Sequence, residues 1–230
     1  MANRDAMPAG PDPRRGTAAK ASRVNDPEDT RRDILSVATG EFASKGLSGA
    51  RIDEIAARTR TSKRMIYYYF GSKEGLYISV LEEAYRNIRN IERDLNVDHL
   101  SPEQALRELI SFTFDRHQEN PDFVRLVMNE NLHSGKFIAQ SANIPNLNVP
   151  AIDTIRRIVE RGKQKGVFRG DIDPIDLHMS ISALCFYSVS NRHTFSRIFK
   201  ADMTSPNALA RRKQSIIATI FASVTAPASR

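Results

Sequence analysis

The chain has 230 residues, 40% of them apolar and 27% charged, which is enough for one or two hydrophobic cores and speaks against a disordered or fibrous protein. Its 34 Lys and Arg exceed its 27 Asp and Glu for a net charge of +7, and residues 1–73 alone hold 14 Lys and Arg against 9 Asp and Glu, so the first third is the part suited to a polyanion. A single cysteine excludes an intrachain disulfide, no run approaches the ~18 apolar residues of a membrane span, and no apolar leader opens the chain, so a cytoplasmic protein is expected.

Residues 1–27 carry Pro8, Pro11, Pro13 and Pro27 with almost no bulky apolar side chains, and are expected to be a disordered basic tail. Arg14, Arg15, Lys20 and Arg23 could follow a DNA minor groove, although an idle tail is the simpler reading. In RIDEIAART, Ile52, Ile55 and Ala56 put an apolar face on a short helix. Thr61-Ser62 interrupts the pattern, and Ser62 is a suitable N-cap for a helix from Lys63 to Phe70. Ile66 and Phe70, four apart, should face inward, leaving Lys63, Arg64, Met65, Tyr67 and Tyr68 outside, with Tyr69 at the flank. Lys and Arg reach phosphates or guanine acceptors, and Tyr donates to phosphate while its ring packs on sugar or a thymine methyl. A basic helix start followed by exposed aromatics therefore suits the DNA major groove, whereas a plain surface hairpin would not expose so much aromatic area. Gly71-Ser72-Lys73 should end this helix and cap the next.

Leu76, Val80, Ala84, Ile88, Ile91 and Leu95 then make a stripe at steps of three and four, which predicts a long connecting helix. Ser101-Pro102-Glu103 reads as a helix start, and Asn120-Pro121 as a break before Phe123, Leu126 and Val127. Gly135 and Ser141 to Pro150 are expected to form the longest irregular segment. Ile152, Ile155, Ile158 and Val159 mark another helix, closed by Gly166, and Asp173-Pro174 opens one containing Leu177, Ile181 and Leu184. A last helix carries Leu209, Ile216, Ile217, Ile220, Phe221 and Val224. The expected fold is all-α: a three-helix helix-turn-helix domain at 28–77, a helical bundle at 78–223 and a disordered tail at 224–230. Cys185, in ISALCFYSV, should be a small core residue.

The pieces ILSVATGEFASKG (34–46), DEIAAR (53–58) and SKRMIYYYFGSKEGL (62–76) resemble the DNA-binding domain of the TetR family of bacterial regulators. The last piece is the most specific, through its aromatic run and the spacing of Phe70, Lys73 and Leu76. The resemblance implies DNA contacts by Arg51, Ser62, Lys63, Arg64, Tyr67, Tyr68 and Lys73. It further implies a homodimer on a palindromic operator, joined through the two late helices at about 174–191 and 206–223, and release by a small-molecule effector. Two positions depart from the family pattern. Ala50 stands where a capping Thr is frequent, and Arg60 stands in a turn that usually has Gly, where a positive φ would strain a side chain.

Aromatic and polar residues of the second domain supply what an effector pocket needs, and Phe114, His117, Arg125, Asn129, His178, Tyr187 and Asn191 are the candidates. Arg125, between apolar neighbours in FVRLVM, would need a core carboxylate or an acidic ligand as partner. The tract NPDFVRLVMNENLHSGKF is similar to a subgroup with pyrimidine- and aromatic-acid-responsive repressors, which implies a small planar acid as effector. The alternative is a regulator of the same fold without an effector, acting as an activator or under a protein partner. Histidines at 99, 117, 133, 178 and 193 lack metal-ligand spacing, and no phosphate-cradling glycine loop, HExxH or GxSxG occurs, so neither enzyme activity, metal nor cofactor is expected.

Overall fold

A computed structural model of the chain describes residues 26–93 and 95–226. The expected basic tail, with Arg14, Arg15, Lys20 and Arg23, and residues 227–230 lie outside them. The described chain folds into ten α-helices and one short 3-10 turn. Helix α1 (Pro27–Gly49) starts on Asp26, whose side chain accepts from the Glu28 amide, with Pro27 at the first position where no amide donor is required. It kinks at Gly46, where φ is 66°. Helices α2 (Ile52–Thr59) and α3 (Lys63–Phe70) follow, and α4 (Lys73–Arg93) leads into the second half.

The apolar stripe of α4 packs as its spacing predicts: Leu76 and Val80 are fully buried, Ile88 nearly so, and Ala84 and Leu95 partly. The side chain of Ile91 lies outside the described residues. Phe42, Ile55, Ile66, Leu76 and Tyr77 form the centre of the first core. That core does not stop at residue 77, because Leu126, Phe137 and Ile144 complete it from the second half.

The remaining helices are α5 (Pro102–Glu119), α6 (Pro121–Leu132), α7 (Asn143–Gln164), α8 (Pro174–Ser190), α9 (Arg192–Phe199) and α10 (Pro206–Val224), with the 3-10 turn at Ile138–Gln140. Ser101 and Gln104 close a reciprocal capping box at the start of α5. A second core gathers Leu106, Ile110 and Phe114 of α5 with Ile158 of α7, Cys185 of α8 and Ile220 of α10. Cys185 is fully buried, and burial pushes its thiol up to about 12, so it is a packing residue. Beyond the isolated bridge between Phe168 and Thr225, no extended pairing occurs among the described residues.

Three expectations require correction. Ser141 to Pro150 is mostly helical, as the first part of α7. Ser141 Oγ accepts from the amides of Asn143 and Ile144, and Pro145 falls in the first turn, where a missing amide is harmless. Helix α9 was not anticipated. The cap residue of α2 is Arg51 rather than Ala50, and it offers no side-chain cap. The buried Glu41 of α1 compensates, since its Oε1 accepts from the Arg51 amide at 3.2 Å. Burial works against the Glu41 charge, but Lys45, the Arg51 amide and Arg58 outweigh it and hold its carboxyl below the usual range.

A second buried carboxylate sits where the two halves meet. Glu130 of α6 accepts from the amides of Phe137 and Ile138 at 2.7 and 2.9 Å through one oxygen. Burial and this carboxylate push the Tyr77 phenol well above its ordinary value. Asn129, the preceding residue, donates to the Phe42 carbonyl at 3.2 Å and so ties α6 directly to α1.

Candidate nucleic-acid interface

Helix α3 is only two turns long, and its geometry is set at both ends. Ser62 Oγ accepts from the Met65 amide at 3.2 Å, and Gly71 closes the helix with φ of 74°. Ile66 and Phe70 are buried, which fixes the opposite face outward. Tyr68 is 76% and Tyr67 45% exposed, and Met65 joins them at 37%. Tyr69 packs partly on the first core, with its ring edge-on to Tyr68 at 5.4 Å. The Arg31 guanidinium covers the Phe70 ring from α1 at 5.6 Å.

The turn between α2 and α3 runs through Arg60 in the left-handed region, φ 54° and ψ 27°. The sequence reading anticipated a positive φ here, and a side chain accepts it at a cost of about 1–2 kcal/mol. On the far side of α3, Ser72 Oγ caps α4 by accepting from the Gly75 amide at 2.9 Å. A Cβ on Gly75 would sit 2.1 Å from the Phe70 carbonyl oxygen, so the approach of α4 to the end of α3 requires glycine.

The cations of this face are not equivalent. Lys63 is ion-paired with Asp53 of α2 across the turn. Lys73 donates to the Ser48 carbonyl at 3.3 Å, which holds it at the start of α4 beside free helix-terminal amides. Arg51 is exposed at the start of α2, and Arg64 is exposed with no ion pair among the described residues. Cations, a hydroxyl and two phenols thus share one surface formed by α2, α3 and the start of α4, an arrangement that suits a phosphate backbone and a groove floor.

This fold and capped helix pair agree with known proteins. Residues 34–80 match the family model for "Bacterial regulatory proteins, tetR family", and residues 102–220 match that for "Tetracyclin repressor-like, C-terminal domain". The chain belongs to the TetR family. It is similar to the HTH-type transcriptional repressor NicS of Pseudomonas putida, 41% identical over 82% of this chain and 89% of that protein. It is also similar to the HTH-type transcriptional repressor SCO4008 of Streptomyces coelicolor, at 32% identity over 72% of this chain and 81% of that protein. Among solved structures, the putative transcriptional regulator SCO4942 of Streptomyces coelicolor superposes with a TM-score of 0.64 at 26% identity, over 86% of this chain and 99% of that one. This TetR-family chain is therefore a DNA-binding transcriptional regulator with a helix-turn-helix and a helical C-terminal domain. No described helix is long and apolar enough to cross a membrane.

The pocket candidates disperse. Phe114 is wholly buried in the second core. His117 has Nδ1 2.7 Å from the Thr113 carbonyl, with its ring edge-on to Phe123 and Phe186. Burial draws its pKa down. Arg125 is exposed and pairs with Asp122 at 3.0 Å, so it is not the interior cation expected. It lies one turn from Asp122 on the solvent side of α6, while Val124 and Leu126 face inward. Asn129 points to α1, Tyr187 is half exposed on α8, and Asn191 donates to Ser190 Oγ at the end of α8.

Of the seven, His178 alone lines the narrow cavity between α4, α5, α7 and α8, where it meets Arg89, Thr113 and Thr154 over Leu109 and Ile155. Burial pulls the His178 pKa down to about 4, and the charges of Arg89 and His117 add to the effect. Arg89 Nε donates to Asn148 Oδ1 at 2.8 Å. Sequence reasoning missed Arg89, whose one signal is its place one turn beyond Tyr85 on the inward side of α4.

Proposed function

We propose that this TetR-family regulator is a homodimeric repressor that reads a palindromic operator and is released by a small planar acid. Residues 28–77 serve as reader and 78–223 as sensor and dimerisation domain. Arg51, Ser62 and Lys73 anchor the phosphate backbone, and Lys63, Arg64, Tyr67 and Tyr68 enter the groove. The observation that carries this reading is the pairing of a buried Ile66–Phe70 face with an exposed basic and aromatic one on a helix capped at both ends. Dimerisation is supported by α8, where Ile175, Met179, Ala183 and Tyr187, spaced by four, are all exposed in the single chain. Two reading helices about 34 Å apart would then meet successive major grooves.

For the effector, the cavity sets the polar groups of Arg89, Thr113, Thr154 and His178 against apolar walls. A carboxylate on the ligand would accept hydrogen bonds from these polar groups while a flat ring lies against Leu109, Ile155 and Ile181. Because the cavity is narrow, such a ligand must spread α7 from α8, and it releases DNA only by favouring a state with the wrong spacing of reading helices.

The double variant Lys63→Ala/Arg64→Ala tests the reader. It should retain helicity by circular dichroism and its mass by sedimentation, yet lose specific binding in a fluorescence-anisotropy titration against DNA upstream of its own gene. Undiminished specific binding by that variant would refute the assignment.

A further inference from the structure

Asp53 is the second residue of α2, and its carboxylate bridges to Lys63, the first residue of the reading helix. The pair is open to solvent, with side-chain exposures of 47% and 57%. Of the other acids of this region, Glu41 is buried under α2, Glu54 is ion-paired with Lys45, and Glu74 lies exposed in the first turn of α4. The first turn of α3 contains no acid of its own. Among the described residues, Asp53 is the carboxylate that an ion pair joins to a cation of the reading helix.

We propose that Asp53 is a specificity-determining residue, which masks Lys63 on DNA of arbitrary sequence. The inference rests on the assignment of Lys63 to DNA contact. Sequence-independent affinity comes from phosphate neutralisation and counterion release, and each engaged cation steepens the salt dependence by about 0.9 in log K per log salt. A random phosphate offers Lys63 only an exchange of one anion for another, and it brings the Asp53 carboxylate towards a polyanion. At a cognate site, base acceptors and the neighbouring contacts of Arg64 and Tyr67 reward the reorganisation. Specificity is a difference between affinities, and a repulsive element that weakens the wrong complex widens it.

Asp53→Asn keeps the shape of the side chain and removes its charge. The probes are a random-sequence duplex and the duplex that the wild-type protein selects from a random pool, each titrated over a salt series. Asp53→Asn should bind the random duplex roughly fivefold more tightly at about 0.15 M salt, with a salt slope steeper by about one contact. Its affinity for the selected duplex should rise less, so the specificity ratio shrinks. In the Lys63→Ala background the same substitution should change nothing. Unaltered random-duplex affinity in Asp53→Asn, or a gain that persists without Lys63, would overturn the masking. If Lys63→Ala itself left binding to the selected duplex intact, the assignment of Lys63 would fail instead, and the masking with it.

Discussion

Arg60 holds a backbone conformation that glycine adopts freely, at the tightest point of the DNA-reading motif. Arg60→Gly should relieve the left-handed strain while loosening the unfolded chain, for a net gain of about 1 kcal/mol or less. Scanning calorimetry should record a midpoint higher by about 3 °C, given the size of the chain. The strain at Arg60 was legible through the resemblance, because the family's turn usually carries Gly at that position. Ser62 was legible from the residues alone, since a hydroxyl before a helical apolar pattern has one plain use. Arg125 was misread, because apolar neighbours in sequence do not make an interior. Asp122, three residues earlier, was the better guide, as it shares the outer face of the same helix. Arg89 offered only its place on α4, since its surroundings come from Asn148, Thr113 and His178, far away in sequence.

Helices with strong caps and burial on one side were legible at the scale of elements. Ser101-Pro102, Asp173-Pro174 and the α4 stripe fall where their chemistry put them. The start of α7 was not, because Pro145 and Pro150 in a stretch rich in Asn read as a loop. The first proline costs nothing in the opening turn, and the second is carried inside a helix long enough to tolerate one lost hydrogen bond. Helix α9 is two turns long, buries no residue and leaves Ile198 and Phe199 exposed, so it has no inward face of the kind that marked α2 and α3. The outward stripe of α8 makes a prediction at this scale. Met179→Asp should leave the single-chain fold unchanged, because Met179 touches neither core, and should shift sedimentation from dimer to monomer. Operator affinity should fall roughly a hundredfold as the two half-sites are uncoupled.

For the whole molecule, the division into reader and sensor conceals a shared interior. Leu126, Phe137 and Ile144 lie in the same core as Ile34, Phe42 and Ile66. A fragment ending near residue 95 loses these three side chains, each worth about 1.5–3 kcal/mol when fully buried. That loss rivals the entire stability of a small domain. The fragment should therefore show no sharp thermal transition by circular dichroism, whereas the full chain should; a cooperative transition in the fragment would show that the reader stands alone. The charge asymmetry of the sequence was visible from composition, but this continuity was not, since it depends on which helix the α6 face meets.

Gly46 and Asn129 give that continuity a practical meaning. Just before the kink in α1, the Phe42 carbonyl accepts from the Asn129 side chain, and the Gly46 backbone lies beside that same side chain. The seam between the two halves is thus cut to fit, in the way a key is cut to one lock. Anyone building a hybrid biosensor by grafting this sensor onto a foreign reader should place the junction so that α1 and α6 travel together. A splice at residue 77 would join parts that were never interchangeable.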